Sequence, residues 1–215
     1  MFTEYQKNDI FTSMFIWYIL IILFSVVIHE VSHGVMANSL GDPTAKDLGR
    51  ITLNPIKHLD LFGSILLPFF LFLVGSPFVF AYAKPVPYNP ANLRDRKFGP
   101  AKVALAGPAV NLALAVLFGL VLRFLPNSLG STSLPQLLAP IIQFNLILAI
   151  FNLVPIPPLD GHWLLFTFLP AKFTAFKLFL MHYSLIIFIA FLIFIFPFVY
   201  PLINFLFRVI VGISA

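Results

Sequence analysis

The chain predicts an all-α polytopic membrane protein of about five to six transmembrane helices, with a re-entrant hairpin and a short β-hairpin beside a candidate metal site. Three observations predict it. Of 215 residues, 60% are hydrophobic and only 10% charged, and the mean hydropathy is +0.99. The apolar residues gather into long blocks, approximately 12–37, 61–83, 101–125, 137–169 and 178–213. One block carries the pentapeptide His29-Glu30-Val31-Ser32-His33. A soluble domain of this size could not bury so much apolar surface, so the solvent around the blocks is a bilayer.

Block 12–37 is too long for a signal-peptide core and is read as a membrane helix. On that helix His29 and His33 lie one turn apart on the same face, the spacing that lets two imidazoles grip one Zn²⁺. Glu30 points about 100° around the helix, free to act as a base on a metal-bound water. A chance match is the plain alternative in a soluble helix. It weakens here, because an ionisable group at bilayer depth costs roughly 2.5–3.5 kcal/mol on insertion scales. The chain has no cysteine, which excludes disulfides and thiolate ligands and leaves His and carboxylate to hold a metal.

Residues 42–60 are polar, and the alternation from Lys46 to Asn54 suggests a short β-hairpin whose edge could receive an extended substrate, with an ordinary surface turn as the alternative. Block 61–83 is expected to enter and leave the membrane on one side, with Pro68 and Gly75-Ser76-Pro77 as breakpoints; a plain transmembrane crossing is the alternative. Residues 84–100, rich in Pro and Arg, form a loop. Blocks 101–125 and 137–169 follow, joined across Pro126–Pro135, and Pro197 and Pro201 interrupt the last block. No internal repeat or low-complexity tract appears, and residues 1–215 read as a single integral-membrane domain.

The histidine pair needs a third ligand. Position 39 is Ser and the only glutamates are Glu4 and Glu30, so the ligand is an Asp or another His. Asp42, Asp47 and Asp60 lie among Lys46, Arg50 and Lys57, where a solvated carboxylate needs no special role. Asp160 follows an apolar stretch and meets no basic residue until Lys172. A lone carboxylate in that setting calls for a cation. Asp160 is therefore the first candidate and His162 its rival. The run Asn152–Gly161 contains Pro155, Pro157 and Pro158 and cannot be continuous helix. Broken helix at membrane depth is tolerated where it is buried in protein or lines a cavity.

His29–His33 together with Asn152–Gly161 resembles the site-2 protease family of intramembrane zinc metalloproteases. Ala106-Gly107-Pro108-Ala109-Val110-Asn111 matches that family's GxxxN element, and Tyr82-Ala83-Lys84-Pro85-Val86-Pro87 resembles a loop of its short bacterial and archaeal members. The resemblance implies one Zn²⁺ per chain on His29, His33 and Asp160, Glu30 as catalytic acid/base, and Asn152 assisting the reaction. It also implies a transmembrane protein substrate, a place in the lipid bilayer of a prokaryotic cell membrane, and a core without attached PDZ or CBS domains. In such a site zinc acidifies its water and polarises the scissile carbonyl, while Glu30 carries the proton to the leaving amine. Asn152, Asn111 or Asn145 could donate to the developing oxyanion, or could simply join helices by hydrogen bonds.

The net charge of +5 lies in a few loops and points to topology rather than nucleic-acid binding. Lys84, Arg94, Arg96, Lys97 and Lys102 outnumber Asp95 in one loop, and Lys172 and Lys177 flank another. The positive-inside rule puts both, and the metal site with them, towards the cytoplasm. A metal-binding transporter or channel is the alternative class. Glu30 beside the zinc pair, and a single ligand set rather than a chain of them, argue against it.

Overall fold

The computed structural model describes residues 4–75, 82–130 and 132–212. Among these, four helices are long and apolar enough to cross a membrane, where the sequence predicts five to six. The apolar part of helix α1 (Glu4–Ser39) is Ile16–Ser39. Helix α2 is Gly99–Arg123 and α3 is Leu134–Asn152. Two shorter helices follow, α4 (Gly161–Phe168) and α5 (Thr174–His182), before the long α6 (Ser184–Val211). The shortest of the four spans, α3 at 19 residues, reaches roughly 28 Å at 1.5 Å per residue, close to the ~30 Å hydrocarbon core. Pro197 falls in the first turn of Phe196–Val211, after a widened turn at Phe191–Ile195. There its missing N–H is tolerated, and helix also continues through Pro201, which lies inside Phe196–Val211.

Helix α2 is the hub, packing against α1, α3, α4 and α6. Its buried stripe of Ala104, Gly107, Asn111, Ala115 and Gly119 recurs at helical spacing, and small residues let membrane helices approach where lipid supplies no hydrophobic drive between them. Ala115 joins Ile142 and Leu146 of α3 and Ile203 and Val211 of α6 in the largest apolar cluster. Trp17 Nε1 donates to Leu137 O at 3.1 Å, tying α1 to α3.

The expected β-hairpin is not formed, and no strand occurs among the described residues. Thr44–Asp47 is instead a single helical turn, begun by Thr44 N and Oγ1 donating to Asp42 Oδ1. Asn54 then starts the tight turn Pro55–His58 by accepting from Ile56 N at 3.1 Å. The alternation from Lys46 to Asn54 reflects successive turns, each capped by its own side chain, and not a pleat.

Block 61–83 begins with a widened turn, Leu61–Leu66, which runs into helix Leu67–Leu73. Asp60 Oδ1 caps it by accepting from Gly63 N at 2.7 Å. Of the expected breakpoints, Pro68 sits in the first turn of Leu67–Leu73, and Ser76 and Pro77 lie outside the described residues. Tyr82 N donates to Gly63 O at 3.1 Å, Ser64 Oγ to Tyr82 O at 2.8 Å, and Lys84 N to His58 O at 2.9 Å. Residue 82 therefore lies beside the start of the block. From there Lys84–Asn92 runs as a strap, extended up to Asn89 and ending in the tight turn Pro90–Asn92, held at one end by Arg50, whose Nη2 donates to Lys84 O at 2.9 Å and Pro85 O at 3.3 Å. At the other end the fully buried Asp42 accepts from Asn89 N at 2.6 Å and Asn92 Nδ2 at 2.9 Å.

Candidate metal centre

His29 and His33 are buried on the inner face of α1. Each has its Nδ1 committed. His33 Nδ1 lies 2.7 Å from the carbonyl of Val103, which can only accept, so that nitrogen carries the proton. His29 Nδ1 lies 2.6 Å from Asn111 Oδ1. Asn111 turns its oxygen to His29 because its Nδ2 donates to Asn145 Oδ1 at 2.8 Å and Ser25 O at 3.3 Å. Asn145 Nδ2 in turn donates to Ser25 Oγ at 3.0 Å and Ile141 O at 2.9 Å. This buried chain across α1, α2 and α3 fixes the imidazole tautomer, with the lone pair on Nε2.

Asp160 arrives from the broken segment. After Asn152 the chain turns back over the end of α3, and Leu159 is buried against Phe188 and Phe191 of α6. Asp160 Oδ2 then lies 3.1 Å from His29 Nε2 and 3.3 Å from His33 Nε2. A carboxylate oxygen held against two unprotonated Nε2 atoms adds a third electron pair to theirs.

The two Nε2 atoms are themselves 3.1 Å apart. Three electron pairs thus converge with no proton to share among them, and buried Asp160 Oδ2 has no hydrogen-bond donor. Such an arrangement is repulsive unless a cation sits at its centre. Ligands about 2.0–2.1 Å from a tetrahedral zinc are roughly 3.3 Å from one another, which fits these separations. The set His29, His33 and Asp160 could therefore hold a metal ion. Helix α2 closes over it at Gly107, where a Cβ would come within 2.5 Å of His29 Cε1 and His33 Nε2.

Glu30, Asn152, Val86, Tyr88 and Trp163 join these three residues around a cavity of about 210 Å³. Glu30 Oε2 accepts from Val86 N at 2.8 Å, so the strap steadies its carboxylate beside the site. The strap can lie this close because Gly34 of α1 faces Val86, where a Cβ would come 2.9 Å from Val86 Cγ1. Asn152 Nδ2 donates to Leu148 O of its own helix at 3.0 Å, leaving its second amide hydrogen uncommitted to that bond.

The predicted residues His29, Glu30, His33, Asn152 and Asp160 are thus brought together. The rival ligand His162 is not part of the converging set. Its Nδ1 lies 2.6 Å from Leu159 O, and its ring packs against Trp163 and Phe166. Asn111, weighed as an oxyanion donor, faces the far side of His29. The contribution of the strap was not foreseen, because a backbone N–H leaves no mark in a sequence and Tyr88 reads as one more aromatic in a proline-rich loop.

Comparison with known proteins agrees with this chemistry. Over 157 residues, 70% of this chain and 68% of the relative, it is 40% identical to a Bacillus subtilis protein named "Putative zinc metalloprotease YwhC". A Mycolicibacterium smegmatis protein named "Putative zinc metalloprotease Rip2" is 31% identical over 141 residues, 65% of this chain and 52% of the relative. A shorter stretch of 61 residues, 28% of this chain and 30% of the relative, is 51% identical to "Putative zinc metalloprotease MJ0611" of Methanocaldococcus jannaschii. No family model matches the chain and no solved structure is similar to it. Metal-ready ligands on a membrane helix, a carboxylate base beside them, and relatives sharing most of the chain's length lead to one conclusion: the chain belongs to the site-2 protease family of membrane zinc metalloproteases.

Proposed function

We propose that this protein is an intramembrane endopeptidase that hydrolyses peptide bonds in or near the transmembrane segments of other membrane proteins. The observation that carries the reading is the convergence of His29, His33 and Asp160 beside Glu30 in one cavity, with the histidine pair inside an apolar span. His29 and His33 supply two neutral nitrogens and Asp160 one anionic oxygen. Zinc held there supplies an acidified water and a Lewis acid for the scissile carbonyl.

The rest of the chemistry belongs to the chain. Glu30 takes a proton from the attacking water and delivers it to the leaving amine. The Val86 N–H holds the Glu30 carboxylate towards the site, and Asn152 offers its remaining amide hydrogen to the oxyanion. A helical substrate hides its amides in its own ladder, so it must be unwound before it can enter.

Residues 1–215 act as one membrane domain. Block 61–83 is re-entrant, which the return of Tyr82 to Gly63 supports, and the metal site faces the cytoplasm, which the basic residues of 84–102 support. The test is a pair of variants read for zinc and for cleavage of a model transmembrane peptide. Glu30→Gln is expected to keep its zinc and lose cleavage, because the carboxylate is a base and not a ligand. Asp160→Ala is expected to lose zinc, and the control Asp60→Ala to retain it. Full cleavage by Glu30→Gln would remove the hydrolase mechanism, and unchanged zinc in Asp160→Ala would remove the ligand assignment.

A further inference from the structure

One buried polar group at the cavity has no part in the mechanism so far. The hydroxyl of Tyr88 is buried without a hydrogen-bond partner among the described residues, although leaving such a group unpaired costs about 1–3 kcal/mol. Tyr88 lines the same cavity as His29, Glu30, His33 and Asp160. Its ring is fixed from two sides. Met36 and Leu40 of α1 belong with it to the cluster around Ala37, Leu93 and Val103, and Trp163, three residues beyond Asp160, meets it edge-on with centroids 6.3 Å apart. One residue further along, Asn89 N is clamped by Asp42. The phenol is therefore packed on two sides, and its donor meets no acceptor among the described residues.

We infer that Tyr88 is a catalytic residue whose hydroxyl donates a hydrogen bond to the oxyanion formed when water adds to the scissile carbonyl, acting with Asn152 as the second donor. The inference rests on the hydrolase reading above. A fixed, buried donor without a ground-state partner is what preferential binding of a transition state needs, because its bond is made only as charge develops. A phenol titrates ordinarily at about 10, and burial pushes this one further up. It therefore stays protonated across the neutral range and serves as a donor. The O–H bond is not broken: the phenol keeps its proton, and the proton that moves is the one carried by Glu30.

The experiment uses the purified full chain in detergent, a fluorogenic peptide with an apolar stretch of about 20 residues, and a phosphinic analogue of that peptide. Tyr88→Phe removes one oxygen and preserves the ring packing. It is expected to keep its zinc, to lower kcat about 10²-fold with little change in KM, and to weaken the phosphinic analogue by a similar factor while leaving ground-state peptide binding intact. Unchanged kcat and analogue affinity would overturn the inference, as would a loss lying wholly in KM or a loss of zinc. Glu30→Gln in the same assay separates the two levels. If Glu30→Gln is inactive while Tyr88→Phe is fully active, only the role of Tyr88 fails, whereas an active Glu30→Gln removes the hydrolase reading beneath it.

Discussion

The imidazole of His29 is held by a residue that touches neither the cavity nor solvent. Asn111 presents its oxygen to His29 Nδ1 only because Asn145 and Ser25 take up its amide hydrogens. A ligand imidazole so oriented is more basic and already in the right tautomer, and loss of such a partner typically costs 10–100-fold in metal affinity. Asn111→Leu is accordingly expected to lose zinc to a competing chelator at about 10–100-fold lower chelator concentration. Equal zinc retention by Asn111→Leu would show that the hydrogen bond does not tune the ligand. At this scale the sequence was informative about charge and poor about direction. Asp160 stood out because an isolated carboxylate in apolar surroundings must be compensated. Which way an asparagine points depends on which helices meet it, and Asn111 and Asn145 lie 34 residues apart in the chain.

Among the elements, the strap from Lys84 to Asn92 was the least legible. Sequence pattern identifies membrane helices by long apolar runs, and that reading succeeded for α1, α2 and α3. It offers nothing for a segment held by point contacts, and it mistook the turns of Lys46–Asn54 for strands. The strap depends on Asp42. Burial pushes that carboxyl up, but hydrogen bonds from Thr44, Asn92 and Asn89 outweigh it and hold it below its ordinary value. The sign follows: a lowered folded-state value adds stability that is complete above the unfolded value of about 3.9 and is lost as pH falls through the folded one. Asp42→Asn, which lacks the charge, is therefore expected to unfold at a lower temperature than the wild type by a constant margin between about pH 8 and 5, and the margin should shrink below about pH 4. Thermal unfolding across that range checks it, and a margin that widened in acid would contradict the assignment.

For the whole molecule the open choice is orientation, and charge and metal geometry constrain it together. If block 61–83 is re-entrant, the surroundings of Ser39, Asn92 and Ala171 all face the cytoplasm, and the connection between α2 and α3, whose Ser131 lies outside the described residues, faces outside. The chain has no cysteine, so single cysteines at these four positions report against a blank background. A membrane-impermeant thiol reagent applied to intact cells is expected to label position 131 alone. Labelling at position 92 as well would mean that the block crosses the bilayer completely. The class of the molecule was plain from composition, because an excess of apolar residues admits one solvent. Its span count was less plain, because block length alone does not separate a helix that crosses from one that turns back.

The strap has one more consequence. Pro85 and Pro87 carry no N–H, and the amides of Lys84, Val86 and Asn89 are already given to His58, Glu30 and Asp42. An extended backbone with its donors turned inward makes a poor template for a second strand. On the proposed function, each unwound apolar segment could pair with any open backbone edge beside the site and stay there. Alternate prolines remove that foothold next to the metal, so a cleaved fragment finds no β-ladder on the strap to delay its departure.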